Sequence, residues 1–151
     1  MTTTEATDAK VAAEIRASAL YDSDRACHAL GIRLDDVAPG RATVRMRVAD
    51  TMVNGLGAGH GGYLFLLADA AFSFACNTYE PVAVAQGAQV TFLQPVAAGD
   101  ELVAEATERA RRGLSGIYDV TVYRDGDVVA EFRGHSVLLP GRTRPTGKEN
   151  S

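Results

Sequence analysis

Residues 59–77 read GHGGYLFLLADAAFSFACN. The part from Tyr63 to Asn77 is too long for an ordinary strand and is rich in Leu, Ala and Phe, so it is predicted to be a helix. Apolar side chains point in nearly every direction around it, which places the helix inside a fold rather than on a surface. A single acidic residue, Asp69, interrupts the apolar run. A carboxylate at such a position has two readings. It is paired with an arginine or a backbone group elsewhere, or it stays unpaired with a perturbed pKa and serves chemistry.

Working outward, the segments on either side change period. In RATVRMRV, Ala42, Val44, Met46 and Val48 alternate with Arg41, Thr43, Arg45 and Arg47, the pattern of a strand with one wet face. Beyond the helix and Pro81, a strand is predicted over Ala88–Gln94, ended by Pro95. Asp100–Arg112 is rich in helix-favouring Ala, Glu and Arg, yet Leu102, Ala104 and Ala106 alternate with Glu101, Glu105 and Thr107, which favours strand. Gly116–Tyr123 and Val128–Leu139 are further strands, joined by a hairpin at Asp125-Gly126. Upstream, Val11–Leu20 reads as a short helix and Asp22–Leu30 as a second helical turn stopped by Gly31. Residues 1–10 and 140–151 are polar and are expected to be disordered, leaving one domain over 11–139. A single buried helix with consecutive strands implies an α+β fold with an antiparallel sheet. Any side of the helix that the sheet leaves bare needs a partner, which predicts a dimer.

Composition narrows the function classes. The chain has 151 residues, 46% of them apolar and 23% charged, as in an ordinary soluble domain. A net charge of −4 provides no broad cationic field for nucleic acid or an anionic membrane. The N-terminus MTTTEATDAK lacks the basic and apolar regions of a secretory signal. Cys27 and Cys76 are isolated, with no CxxC and no metal-type spacing to the histidines. The expectation is a cytoplasmic protein without metal or cofactor.

The glycine-rich entry to the long helix is the candidate site. Gly59, Gly61 and Gly62 permit close approach of a ligand. The first helical turn offers unpaired N–H groups and the positive end of the helix dipole, suited to an oxygen that gains negative charge. Asp69 lies eight residues beyond Gly61, about 12 Å along a helix axis. A reacting carbonyl must lie about 3 Å from its donor and close to its base or nucleophile. One chain does not readily bring both groups to one atom, whereas two antiparallel copies of the helix do. Ser73, four residues after Asp69, faces the same way and is a candidate to hold a water or the carboxylate; the alternative is a bond to its own helix backbone. His60 is read as orienting the loop backbone in preference to transferring protons. Asn54 is either an amide donor to a substrate carbonyl or a turn residue before Gly55. Tyr63, Phe72 and Phe74 either line a pocket or fill the core.

These segments resemble the hotdog-fold thioesterases of phenylacetic acid degradation. The resemblance is carried by VNG (Val53–Gly55), HGGYLFLLADAAFSFACN (His60–Asn77), VTFLQP (Val90–Pro95), GD (Gly99–Asp100), GIYDV (Gly116–Val120), FRGHS (Phe132–Ser136) and, upstream, ALYDSDRACHALGI. It implies a long helix wrapped by an antiparallel sheet, a homodimer or homotetramer with active sites at the subunit interface, and hydrolysis of aryl-acetyl thioesters of coenzyme A. It assigns Asp69 as general base or nucleophile, the Gly61 N–H as the group that polarises the thioester carbonyl, Asn54 as a polar residue placing the thioester, and His60 as the histidine of the HGG motif. Gly62 belongs to the same substrate-binding loop. Arg109, Arg111 and Arg112 are candidates for CoA phosphates, with a solvated charge run as the alternative, and Arg133 is a weaker candidate of the same kind. The loop between Asn54 and His60 departs from the family in having few polar side chains. Two other functions of the same fold stay open at this point, a non-catalytic acyl-CoA binding protein and a hydratase or dehydratase.

Overall fold

The computed structural model describes residues 1–144. Its elements are α1 (Thr3–Asp22), α2 (Arg25–Ala29), β1 (Arg33–Ala38), β2 (Arg41–Arg47), a 3-10 turn (Asp50–Met52), α3 (Gly61–Cys76), β3 (Ala83–Phe92), β4 (Glu101–Arg112), β5 (Ser115–Arg124) and β6 (Asp127–Leu138). The six strands form one sheet in the order β1-β2-β4-β5-β6-β3, and every neighbouring pair is antiparallel. The sheet curls around α3. This is the hotdog arrangement that the resemblance implied, in an α+β fold.

Period-two patterning decides which face of the sheet receives the helix. Ala42, Val44 and Met46 of β2, Leu102, Ala104 and Ala106 of β4, and Tyr118, Val120 and Val122 of β5 are all buried. In register, Ala42 faces Ala106 and Val44 faces Ala104. Phe72 of α3, fully buried, packs against Tyr118 of β5 and Phe132 of β6. The ring also lies close over Gly134 of β6, where a Cβ would come within 2.8 Å of it. The β5–β6 hairpin turns at Asp125 and Gly126, with φ of 48° and 81°. Two successive left-handed residues are what a two-residue type I′ turn requires, so the Asp-Gly signal reads true.

Two expectations need correction. Residues 2–10 are not disordered: α1 begins at Thr3, and Thr2 and Glu5 form a reciprocal capping box. The Glu5 N–H donates to Thr2 Oγ1 at 3.1 Å, and the Thr2 N–H donates to Glu5 Oε2 at 2.7 Å. Second, the C-terminal segment is packed as far as Arg144. Its guanidinium bonds Glu80 Oε1 at 2.6 Å and the Tyr79 carbonyl, and the side chain is only 10% exposed. The rest of the expected tail, 145–151, lies outside the described residues. Strand β1 has no counterpart among the sequence expectations. Its pairing with β2 shifts register between Leu34 and Asp36, and the Asp35-Asp36 pair breaks the alternation that marks β2.

Candidate active site

The entry to α3 is built by His60. It is the N-cap, and its Nδ1 accepts from the Gly62 N–H at 3.0 Å while its carbonyl accepts from the Tyr63 N–H at 3.0 Å. An accepting Nδ1 is unprotonated, so the neutral ring carries its proton on Nε2. Of the first three amides of the helix, only Gly61 N–H has no acceptor among the described residues. The cap thus disposes of the other two and leaves one donor at the positive end of the dipole. This is the loop-orienting role read for His60, and it leaves Gly62 without a free amide.

Asn54 also holds the loop. Its Oδ1 accepts from Leu56 N–H at 2.9 Å and from Ala58 N–H at 3.2 Å, which closes the turn. Its Nδ2 forms no hydrogen bond among the described residues, so the two readings of Asn54 are compatible: the oxygen makes the turn and the amide nitrogen is free to donate. Asn54 and Gly61 line one cleft of about 470 Å³, with Leu64, Phe92 and Val96 among its walls.

Asp69 and Ser73 line a second cleft, of about 620 Å³, between α3, the end of α1 at Leu20, Val82 with the start of β3 (Ala83–Ala85), and Arg142–Arg144. Asp69 makes no ion pair or hydrogen bond among the described residues, and the structural-partner reading therefore finds no support. Burial raises its pKa above the ordinary carboxylate value, and the charge of Asp24 raises it further. Ser73 Oγ forms no hydrogen bond to its own helix among the described residues. The Ser73 carbonyl accepts from Asn77 N–H, Asn77 Nδ2 and Cys76 Sγ. Asn77 Nδ2 also bonds the Ala83 carbonyl at 2.9 Å, which ties the end of α3 to the start of β3 and shapes the cleft floor.

Within this chain the Gly61–Asn54 pair and the Asp69–Ser73 pair therefore occupy different clefts. The arginines do not converge either. Arg109 pairs with Asp119 at 3.4 Å on the solvent face of the sheet, where Asp119 also holds Arg133 at 2.7 Å. Arg111 lies 3.6 Å over the Tyr79 ring and 3.3 Å from Glu108. A β-bulge between Glu108 and Ala110 separates the directions of Arg109 and Arg111. Arg111 and Arg112 line a small pocket with Cys76, at the C-terminal end of α3 and away from Gly61. Tyr63 stands edge-on to His60, Phe74 is core, and Phe72 is fully buried in the core yet also lines the Asp69 cleft. Sequence reasoning missed Phe92, whose ring lies on Gly61, and Asp24, whose charge acts on Asp69. Both lie in stretches that carry the resemblance, VTFLQP and ALYDSDRACHALGI, but neither is assigned a role there, because both meet the site through tertiary packing.

Comparison with known proteins matches this architecture. Residues 56–131 match the model of the Thioesterase superfamily. The Escherichia coli K12 acyl-coenzyme A thioesterase PaaI is 41% identical over 126 residues, which span 83% of this chain and 90% of that protein. The structure of E. coli PaaI, a protein of the phenylacetic acid degradation operon, superposes with a TM-score of 0.85 at 40% identity, covering 87% of this chain and 96% of that one. A mutant of the phenylacetic acid degradation protein PaaI from Thermus thermophilus superposes with a TM-score of 0.75 at 36% identity, covering 77% of this chain and 100% of that one. On its matched sequence and its fold, this chain belongs to the thioesterase superfamily.

Proposed function

We propose that this protein is an acyl-CoA thioesterase that hydrolyses aryl-acetyl thioesters, and that each active site is assembled from two protomers. The observation that carries the reading is the unpaired, half-buried Asp69 on the same helix as the free Gly61 amide, with the two groups in separate clefts. A symmetric pairing removes the separation. β3 is the last strand of the sheet, and its residues 85–89 are exposed. Its start flanks the Asp69 cleft and its end, at Phe92, flanks the Gly61 cleft. An edge strand with open N–H and C=O groups is a template for pairing with a second copy. Antiparallel pairing of β3 with its copy about a two-fold axis sets the start of one strand beside the end of the other. Asp69 of one protomer then meets Gly61 and Asn54 of the next.

In the assembled site the thioester carbonyl oxygen accepts from the Gly61 N–H, with Asn54 Nδ2 as a second donor. The negative charge that develops on this oxygen is stabilised by the amide and the helix dipole. Asp69 either takes a proton from water as the hydroxyl oxygen bonds to the carbonyl carbon, or attacks that carbon itself to give a mixed anhydride that water then opens. The C–S bond breaks, the thiolate leaves and is protonated, and the acid is released. A raised Asp69 pKa makes it a stronger base than a free carboxylate once ionised. Ser73, one turn on, is positioned to hold the water. Arg112, which lines the pocket with Cys76, is the arginine retained for a CoA phosphate, since Arg109 and Arg111 already have partners. We take the compartment to be the cytoplasm, where two free, buried cysteines stay reduced. No helix among the described residues is long and apolar enough to cross a membrane.

The test is thiol release from phenylacetyl-CoA, hydroxyphenylacetyl-CoA and medium-chain acyl-CoAs, with wild type and Asp69→Asn. Release that is fastest on the aryl-acetyl thioesters and falls by about 10²–10⁴ in the variant supports the reading. Undiminished release in Asp69→Asn ends the role of Asp69, and binding without turnover favours a non-catalytic acyl-CoA binder.

A further inference from the structure

We infer that Phe92 is a specificity-determining residue, its ring forming the wall against which the acyl group packs when a thioester carbonyl reaches the Gly61 amide. The inference rests on the thioesterase reading above and adds a residue to which neither the resemblance nor the helix spacing assigned a role. A Cβ placed on Gly61 would lie 2.9 Å from Phe92 Cζ and 3.2 Å from each Cε, so the ring sits directly on the residue that offers the free N–H. Any group bonded to a carbonyl carbon held there comes within reach of the ring.

The surroundings favour an apolar occupant. Phe92 is 51% exposed, Leu93 54% and Leu56 93%, and all three line this one cleft. They are three of the seven large hydrophobic side chains exposed among the described residues, a concentration that scattered surface residues do not produce. Only two polar side chains, Asn54 and Gln94, line the cleft, and the carbonyl oxygens of both are occupied, by the loop amides and by Arg124 Nη2 at 3.2 Å. The amide-bearing pantetheine arm would lose hydrogen bonds to water here with few replacements, whereas an aryl or alkyl acyl group loses none. The cleft volume of about 470 Å³ accommodates such a group beside the ring. An aryl-acetyl group adds a ring-to-ring contact that an acetyl group lacks.

The experiment measures kcat/KM of wild type, Phe92→Leu and Phe92→Ala for phenylacetyl-CoA and acetyl-CoA, with size-exclusion chromatography of each protein. The ratio of phenylacetyl to acetyl activity is expected to fall about threefold in Phe92→Leu and about tenfold in Phe92→Ala, the size of one aromatic contact. A ratio that stays within about twofold of wild type, with wild type active, overturns the role of Phe92 and leaves the thioesterase reading standing. A change of oligomeric state in both variants overturns it in favour of an interface contact with a second copy. A wild-type protein that releases no thiol from either substrate overturns both readings together.

Discussion

A pair of inactive variants tests whether Gly61 and Asp69 of different protomers serve one carbonyl. Gly61→Pro removes the free N–H without disturbing the helix start: proline is well tolerated at the first helical position, and His60 at ψ 129° already has the extended backbone that must precede it. Loss of one such donor is expected to lower kcat by about 10²–10³. Gly61→Ala is the control. Its Cβ meets the same Phe92 ring, but the N–H remains. The second variant, Asp69→Asn, removes the base or nucleophile. If the site is shared, a mixed dimer of the two holds one site with both defects and one with neither. Random 1:1 mixing makes half of the dimers mixed, so activity returns to about one quarter of wild type, and to about one half in mixed dimers isolated through two affinity tags. If Gly61 and Asp69 of the same chain act together, every site in the mixed dimer carries one defect and nothing returns. The geometry favours the first outcome, because eight residues of helix separate the two groups by about 12 Å, while catalysis needs both near one atom at about 3 Å. Mixed dimers verified by mass that stay as inactive as their parents refute the shared site.

Three further outcomes follow from the packing. Burial and Asp24 raise the Asp69 pKa, so the neutral acid is favoured in the folded state; the stability this contributes is complete below the unfolded value and is lost as pH rises through the folded one. Thermal melting should therefore show Asp69→Asn more stable than wild type at pH 7, with the gap closing as pH falls to about 4, while the acid limb of wild-type kcat/KM lies above the ordinary carboxylate range; a gap that widens on acidification contradicts the direction. His60→Asn keeps a good N-cap and should retain activity within about tenfold, whereas a general acid or base role requires a loss of about 10²–10⁴ in a steady-state assay. Gly134→Ala drives a Cβ to within 2.8 Å of the fully buried Phe72 ring, and denaturant titration should register a loss of about 1–3 kcal/mol, the usual cost of overpacking a core.

The helix and most of the sheet were legible because they rest on local patterns. The run from Tyr63 to Asn77 has no polar face to turn to water, and Ala42, Val44 and Met46 obey a period of two; the structure extends these into α3 and β2 within a few residues. The Asp125-Gly126 turn follows from backbone sterics alone. The Thr2–Glu5 capping box is written in the sequence as well, but polar composition outweighed it, and α1 buries only Ala13 and Ala17. Strand β1 escaped because its bulge breaks the alternation.

The candidate site divides in the same way. Its glycine loop and lone carboxylate stand out in the sequence because each violates a local expectation. Which amide of the loop stays free, whether Asp69 has a partner, that Phe92 lies on Gly61, and that Arg109 and Arg111 point apart were decided by tertiary structure. Hydrogen bonds and ring contacts between residues distant in sequence depend on the register of strands and the seating of a helix, and those are set by the packing of the whole core rather than by any segment of it.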